Sequence, residues 1–212
     1  NYAQGGASSY THGYVLDVST LSPDVVISGN YQIQKFPFSI ESGKASTVGQ
    51  LSAARADVAG HTSSTHAYAS GGLSQPGSVG HTAIDKFPFS SDTNAASIGD
   101  IHPQTMNRHA GISSTTHGFA VSGVGGLSGR TEIKKFPFAS DGDGTTVGDL
   151  PTTKEYITGS PSTTHGYVNG GRTPPSARSN EILKFPFAIT SGNTTDVGDL
   201  TVARYRAGST QN

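Results

Sequence analysis

The chain has 212 residues, 33% of them hydrophobic and 14% charged, with a formal net charge of −1. No basic block is present to displace counterions from a nucleic acid, and disorder would pair low hydrophobicity with high net charge. With no cysteine there is no disulfide, thiolate metal site or cysteine nucleophile, and no apolar run approaches the ~18 residues of a membrane-crossing helix.

In chain order, a first strand is expected within residues 1–9, followed by Thr-His-Gly-Tyr at 11–14 and Lys-Phe-Pro-Phe at 35–38. The same tetrapeptide returns at 86–89, 135–138 and 184–187, and the Thr-His group at 65–68, 116–119 and 164–167. Glycine pairs follow the Thr-His group at 71–72, 125–126 and 170–171, whereas the first copy reads Val-Leu-Asp-Val-Ser. Val-Gly-Gln-Leu, Ile-Gly-Asp-Ile and two copies of Val-Gly-Asp-Leu begin at Val48, Ile98, Val147 and Val197. A basic residue then precedes a small residue and glycine: Arg55, Arg108, Lys154 and Arg204. A period near fifty residues signals a solenoid, propeller or array. The units run over about 1–52, 53–102, 103–152 and 153–202, with a surplus strand at 203–212.

Each unit reads as four short strands, because its segments are rich in β-formers and bounded by Gly, Pro, Ser and Asn. In the last unit they fall at 155–163, 165–171, 180–187 and 195–201, and no sustained 3.6-residue apolar stripe predicts helix. A proline cannot donate a ladder hydrogen bond, so it ends the third strand. The rings of Phe36, Phe38, Phe87, Phe89, Phe136, Phe138, Phe185 and Phe187 then fill the space between successive sheets. Burying one such ring contributes roughly 1.5–3 kcal/mol. The copied feature is thus a packing unit.

A small-aromatic strand with Gly-Gly, an Ile-x-x-Phe strand ending at proline, and a hydrophobic-x-x-Leu strand followed by arginine together resemble the kelch repeat. The chain departs from it in having no tryptophan, Phe-Pro in place of Asp-Pro, and no double glycine in the first copy. The resemblance implies an all-β fold, a β-propeller with about four four-stranded kelch-like blades. The wording of the repeats is also similar to arrays in predicted tail-fibre or adhesin-type proteins of marine phages. The surplus segment favours half of an eight-bladed ring, or part of a longer array, over a closed four-bladed ring. The opening at Asn1, with no signal-peptide pattern, reads as a processed product, an excised piece, or a stretch of something longer.

Chemistry is sparse. His12, His66, His117 and His165 recur beside Tyr14, Tyr68, Phe119 and Tyr167, and these are the candidate ligand-binding positions. A ring of four imidazoles could hold an ion. The blander expectation is that each histidine caps its hairpin through a backbone hydrogen bond. His61, His81, His102 and His109 are unpatterned, and Asp141-Gly142-Asp143-Gly144 lacks the closing glutamate of a calcium loop. No nucleophile elbow or phosphate loop appears, and Arg55, Arg108 and Arg204 sit where kelch repeats carry arginine.

No metal, cofactor or catalytic residue is therefore expected. The reading is a non-enzymatic binding or structural module at an extracellular or virion surface, such as a viral fibre, with no nucleic acid and no membrane insertion. A protein or glycan partner would meet the variable loops at 19–34, 74–82, 128–131 and 173–179, and a homodimer or further blades would extend the ring. A multivalent lectin is the alternative, and a propeller enzyme a remoter one.

Overall fold

A computed structural model of the chain describes residues 5–17, 31–74, 79–125 and 128–208. Among them the fold is all-β, organised as four antiparallel four-stranded sheets. The first contains β1 (Gly5–Ser8), β2 (His12–Asp17), β3 (Gln32–Pro37) and β4 (Ser46–Gln50). The second contains β5 (Ala59–Thr62), β6 (His66–Ser70), β7 (Ala83–Pro88) and β8 (Ala96–Asp100). β9 (Ala110–Ser113), β10 (His117–Gly125), β11 (Ser128–Pro137) and β12 (Thr145–Asp149) form the third. β13 (Thr158–Pro161) and β14 (His165–Asn169) open the fourth; the small hairpin β15 (Arg172–Thr173) and β16 (Ala177–Arg178) intervenes before β17 (Glu181–Pro186) and β18 (Thr195–Asp199). Within each sheet the four strands lie side by side in chain order.

The repeated letters have repeated positions. Each third strand ends at its proline, and that proline faces the histidine that starts the second strand: His12 faces Pro37, His66 Pro88, His117 Pro137 and His165 Pro186. The Val-Gly or Ile-Gly pair makes a bulge in every sheet, after Ile33, Ile84, Ile133 and Ile182 of the facing strand. The turn into each second strand is closed by a serine hydroxyl that accepts the histidine N–H at 3.0 Å: Ser9, Ser63, Ser114 and Ser162. Serine does this because its short side chain can substitute for a backbone acceptor.

The sheets stack through their first strands, β1 on β5, β5 on β9 and β9 on β13. Between them sit aromatic plugs. Tyr14 stacks on Phe89 at 5.2 Å and meets Phe87 edge-on at 5.7 Å. Tyr68 does the same with Phe138 and Phe136, and Phe119 with Phe187 and Phe185. In the first, third and fourth units the first phenylalanine of the motif lies over the glycine of its own Thr-His-Gly, and a Cβ at Gly118 would run into the Phe136 ring; the second unit has Ala67 at that place. Phe87, Phe136 and Phe185 are accordingly buried.

Several expectations need correction. Phe38 is 55% exposed, because no described sheet precedes the first and offers it an aromatic partner. In the third unit the structural place of the glycine pair is not filled by Gly125-Gly126. Ser122 (φ 57°) and Gly123 (φ 106°) hold the left-handed conformations that Gly71 and Gly72, and Gly170 and Gly171, hold elsewhere. Serine is tolerated there because its hydroxyl lies 2.7 Å from Lys154 O and accepts the Lys154 N–H at 3.1 Å. Residues 128–131, expected as a loop, belong to the long strand β11, and most of 173–179 belongs to the hairpin β15–β16, which begins at Arg172. The strand expected at 155–163 spans only Thr158–Pro161, since Tyr156 at φ 54° breaks extension before it.

Residues 203–208 form no strand but dock on the fourth sheet: Gly171 N–H donates to Arg204 O and Arg206 N–H to Tyr156 O, both in backbone bonds. Residues 209–212, residues 1–4, most of the loop at 19–34 and the centre of the loop at 74–82 lie outside the described residues.

Candidate functional site

The recurrent histidines stand half-exposed at the start of each second strand, but their rings do not cap the backbone. His12, His66, His117 and His165 each place Nδ1 2.8 Å from the hydroxyl of the preceding threonine, while serine holds the backbone N–H. Burial pushes the His66 and His117 imidazoles below their ordinary value, and the fields of Lys86 and Lys135 add to it. Among the described residues no group of three or more His, Asp or Glu is placed to hold a metal ion. The aromatic partners differ in kind: Tyr14, Tyr68 and Phe119 are consumed in the plugs, so only Tyr167 keeps an open side.

The grooves between sheets are where polar groups converge. At the first two, the motif lysine closes the groove by an ion pair to the acid six residues past the next lysine: Lys35 to Asp92 at 2.9 Å and Lys86 to Asp141 at 2.8 Å. At the third, that position is Thr190, and Lys135 turns instead to the carbonyls of Phe187 and Ile189, at 3.2 and 3.4 Å. A cleft of about 360 Å³ is left there, lined by His117, Lys135, Asp143, Thr145, Thr146 and Thr190 with Val147 and Ile189 as apolar floor. A largely neutral imidazole, an ammonium, a carboxylate and hydroxyls around an apolar floor suit a small polyhydroxylated ligand. The missing acid at 190 is the sequence signal for it.

Two further clusters have no signature in the repeats. Ser70 lies between His61 Nε2 at 2.9 Å and His109 Nε2 at 3.0 Å, with His61 Nδ1 3.3 Å from Ile112 O. The carbonyl can only accept, so His61 Nδ1 carries the proton, its Nε2 accepts from Ser70, and His109 Nε2 donates to the serine oxygen. A serine between imidazoles has the composition of a nucleophile with its base. Ser70 and His61 are wholly buried and His109 nearly so, which removes them from any substrate. Desolvation pushes His61 down to about 4 and His109 to about 3.

The second cluster surrounds Tyr156, whose ring centroid has the guanidinium carbons of Arg206, Arg108 and Arg172 at 4.2, 4.9 and 5.4 Å. Glu155 binds Arg108 at 3.1 Å and also Arg172, while Arg108 Nε stands 3.6 Å from Asp57. Arg55, Arg108 and Arg204 therefore do not form one repeated position. Arg55 is buried in an ion pair with Asp85 at 2.9 Å; Lys154 takes the same role with Glu181; Arg204 is exposed. In the third unit the corresponding buried place, two residues before the left-handed Arg108, belongs to Met106.

No family model matches the chain, and no curated protein matches its sequence. Solved structures do match it, 171 chains of them, so the fold is shared although the sequence is not. One, described as the structure of YjhT, superposes with a TM-score of 0.75 at 10% identity. The superposition covers 94% of this chain and 66% of that one, so this chain spans about two thirds of its neighbour's length. At that identity the likeness concerns the fold alone.

Proposed function

We propose that the chain is a non-catalytic binding and structural module, a run of kelch-like β-propeller blades presenting its loops to a partner at an extracellular or virion surface, as in a viral fibre. The supporting observation is the repetition of the lock. At three successive interfaces the same aromatic triplet joins one sheet to the next, while the connections between second and third strands differ in length. A stiff frame with unequal loops is how binding surfaces are commonly built. The ring holds more than four blades in this reading. Among the described residues, no contact comparable to that of β9 with β13 returns from β13 to β1.

The cleft beside His117 favours a second reading, a lectin that takes a sugar between blades. A glycan array probed with the labelled chain separates the two. Selective binding that His117→Ala abolishes, with the unfolding temperature unchanged, selects the lectin. A silent array together with saturable binding to a cell-surface protein selects the scaffold. Release of a product from any probed glycan overturns both.

A further inference from the structure

The three internal interfaces define a rule, and the two outer faces of the chain are its unmatched halves. In each interface the leading sheet contributes the aromatic of its second strand, its motif lysine and its Val-Gly or Ile-Gly bulge. The following sheet contributes both motif phenylalanines and the loop after them. Among the described residues no sheet packs on the far side of the fourth: Tyr167 is only half-buried, and Val197 is 49% exposed where its counterpart Val147 is 7% exposed. Space around Gly198 is open, whereas Gly49, Gly99 and Gly148 each press on the loop of the next sheet. Among the described residues no sheet packs on the near side of the first, and Phe38 and Ile40 face solvent.

The two halves are matched in detail. The loop Phe-Ser-Ile-Glu-Ser-Gly at 38–43 repeats the pattern of Phe-Ala-Ile-Thr-Ser-Gly at 187–192. In the latter, Ile189 is buried against Val147 and Gly148 of the preceding sheet. Ile40 is the same residue without a sheet to enter. Glu41 stands six residues past Lys35, where Asp92 and Asp141 stand past their lysines and bind the lysine of the sheet before. Among the described residues neither Glu41 nor Lys184 has an ion-pair partner; Lys184 rests 5.9 Å from the Tyr167 ring centroid.

We infer that the chain associates head to tail with a second copy of itself: Tyr167, Lys184 and the Val197-Gly198 bulge of one copy receive Phe36, Phe38, Ile40 and Glu41 of the next. The interface is heterologous, so a ring forms where the rotation closes. Two copies would bring eight blades, within the four to eight that propellers adopt. The inference rests on packing alone and stands whatever the loops bind.

Sedimentation velocity of the 212-residue chain over a concentration series tests it. Concentration-dependent association is expected, and Tyr167→Asp or Phe38→Asp should each weaken it at least about tenfold, the scale of a central aromatic anchor. Mixing these two variants should restore one interface and give a dimer, because the intact half of each fits the other. Lys184→Glu should weaken association about fivefold at low salt, and adding Glu41→Lys to the same chain should recover it. A monomer at every concentration overturns the inference and leaves these faces for sheets that the 212 residues do not include. Association that survives Phe38→Asp, with circular dichroism showing the fold intact, overturns it in favour of a face docking on itself.

Discussion

His61 and His109 share the hydroxyl of Ser70 in a space closed to water, and that has a pH consequence. Both imidazoles are neutral in the folded chain, pushed down to about 4 and about 3 chiefly by desolvation. An unfolded histidine titrates near 6.5, so below that pH the unfolded state binds more protons than the folded one. Stability is therefore full above pH 6.5 and falls as pH drops through 6 and 5 toward 4. At 1.36 kcal/mol per unit, His61 alone accounts for about 3 kcal/mol of that loss. Urea midpoints measured from pH 7.5 to 4.5 check it, and His61→Asn should flatten the profile. Ser122 carries a second residue-scale expectation. Alanine at φ 57° leaves the left-handed strain as it is in serine and strips Lys154 N–H of its acceptor, at a cost of about 1–3 kcal/mol. Ser122→Gly loses the hydroxyl but not the conformational fit, and should cost about 1 kcal/mol less than Ser122→Ala in the same unfolding assay.

The aromatic plug ranks substitutions that look equivalent in the repeated tetrapeptide. Phe136 packs on Tyr68, Phe138 and His61 with no exposed surface, so Phe136→Ala should cost about 3–5 kcal/mol. Phe38→Ala, at the solvent-facing end of the same pattern, should change the monomer by no more than about 0.5 kcal/mol. Thermal unfolding of the two variants separates them by several degrees or more. This difference marks the limit of what repetition discloses. Equal spacing of Lys-Phe-Pro-Phe was enough to read four strands, a proline stop and a plug between sheets, because those are properties of one unit and its neighbour. Misreadings arose where a unit keeps the backbone but changes the letters. Ser122 stands in a glycine's conformation, Met106 in an arginine's pocket, and Thr190 at a carboxylate's place, opening the cleft beside His117. The His61–Ser70–His109 cluster was illegible for another reason: its members come from β5, β6 and the segment before β9, and none of them recurs in the other units.

Stability in a stack of this kind is close to a sum of unit terms and nearest-neighbour interfaces. The second and third sheets each have two plugs; the first and fourth have one. Amide exchange should therefore be slowest in β6, β7, β10 and β11 and fastest in β4 and β18, whose residues are largely exposed. Sub-global opening from the ends inward is the expected order, because losing an end sheet breaks one interface rather than two. Head-to-tail association changes this gradient in a specific way. Raising the chain concentration should slow exchange in β18 and in the segment around Phe38 together, since they are the two sides of one contact, while β6 and β10 keep their rates. If the end strands exchange at the same rate at low and high concentration, the outer faces are not in contact. The four sheets then hold themselves up with three interfaces alone.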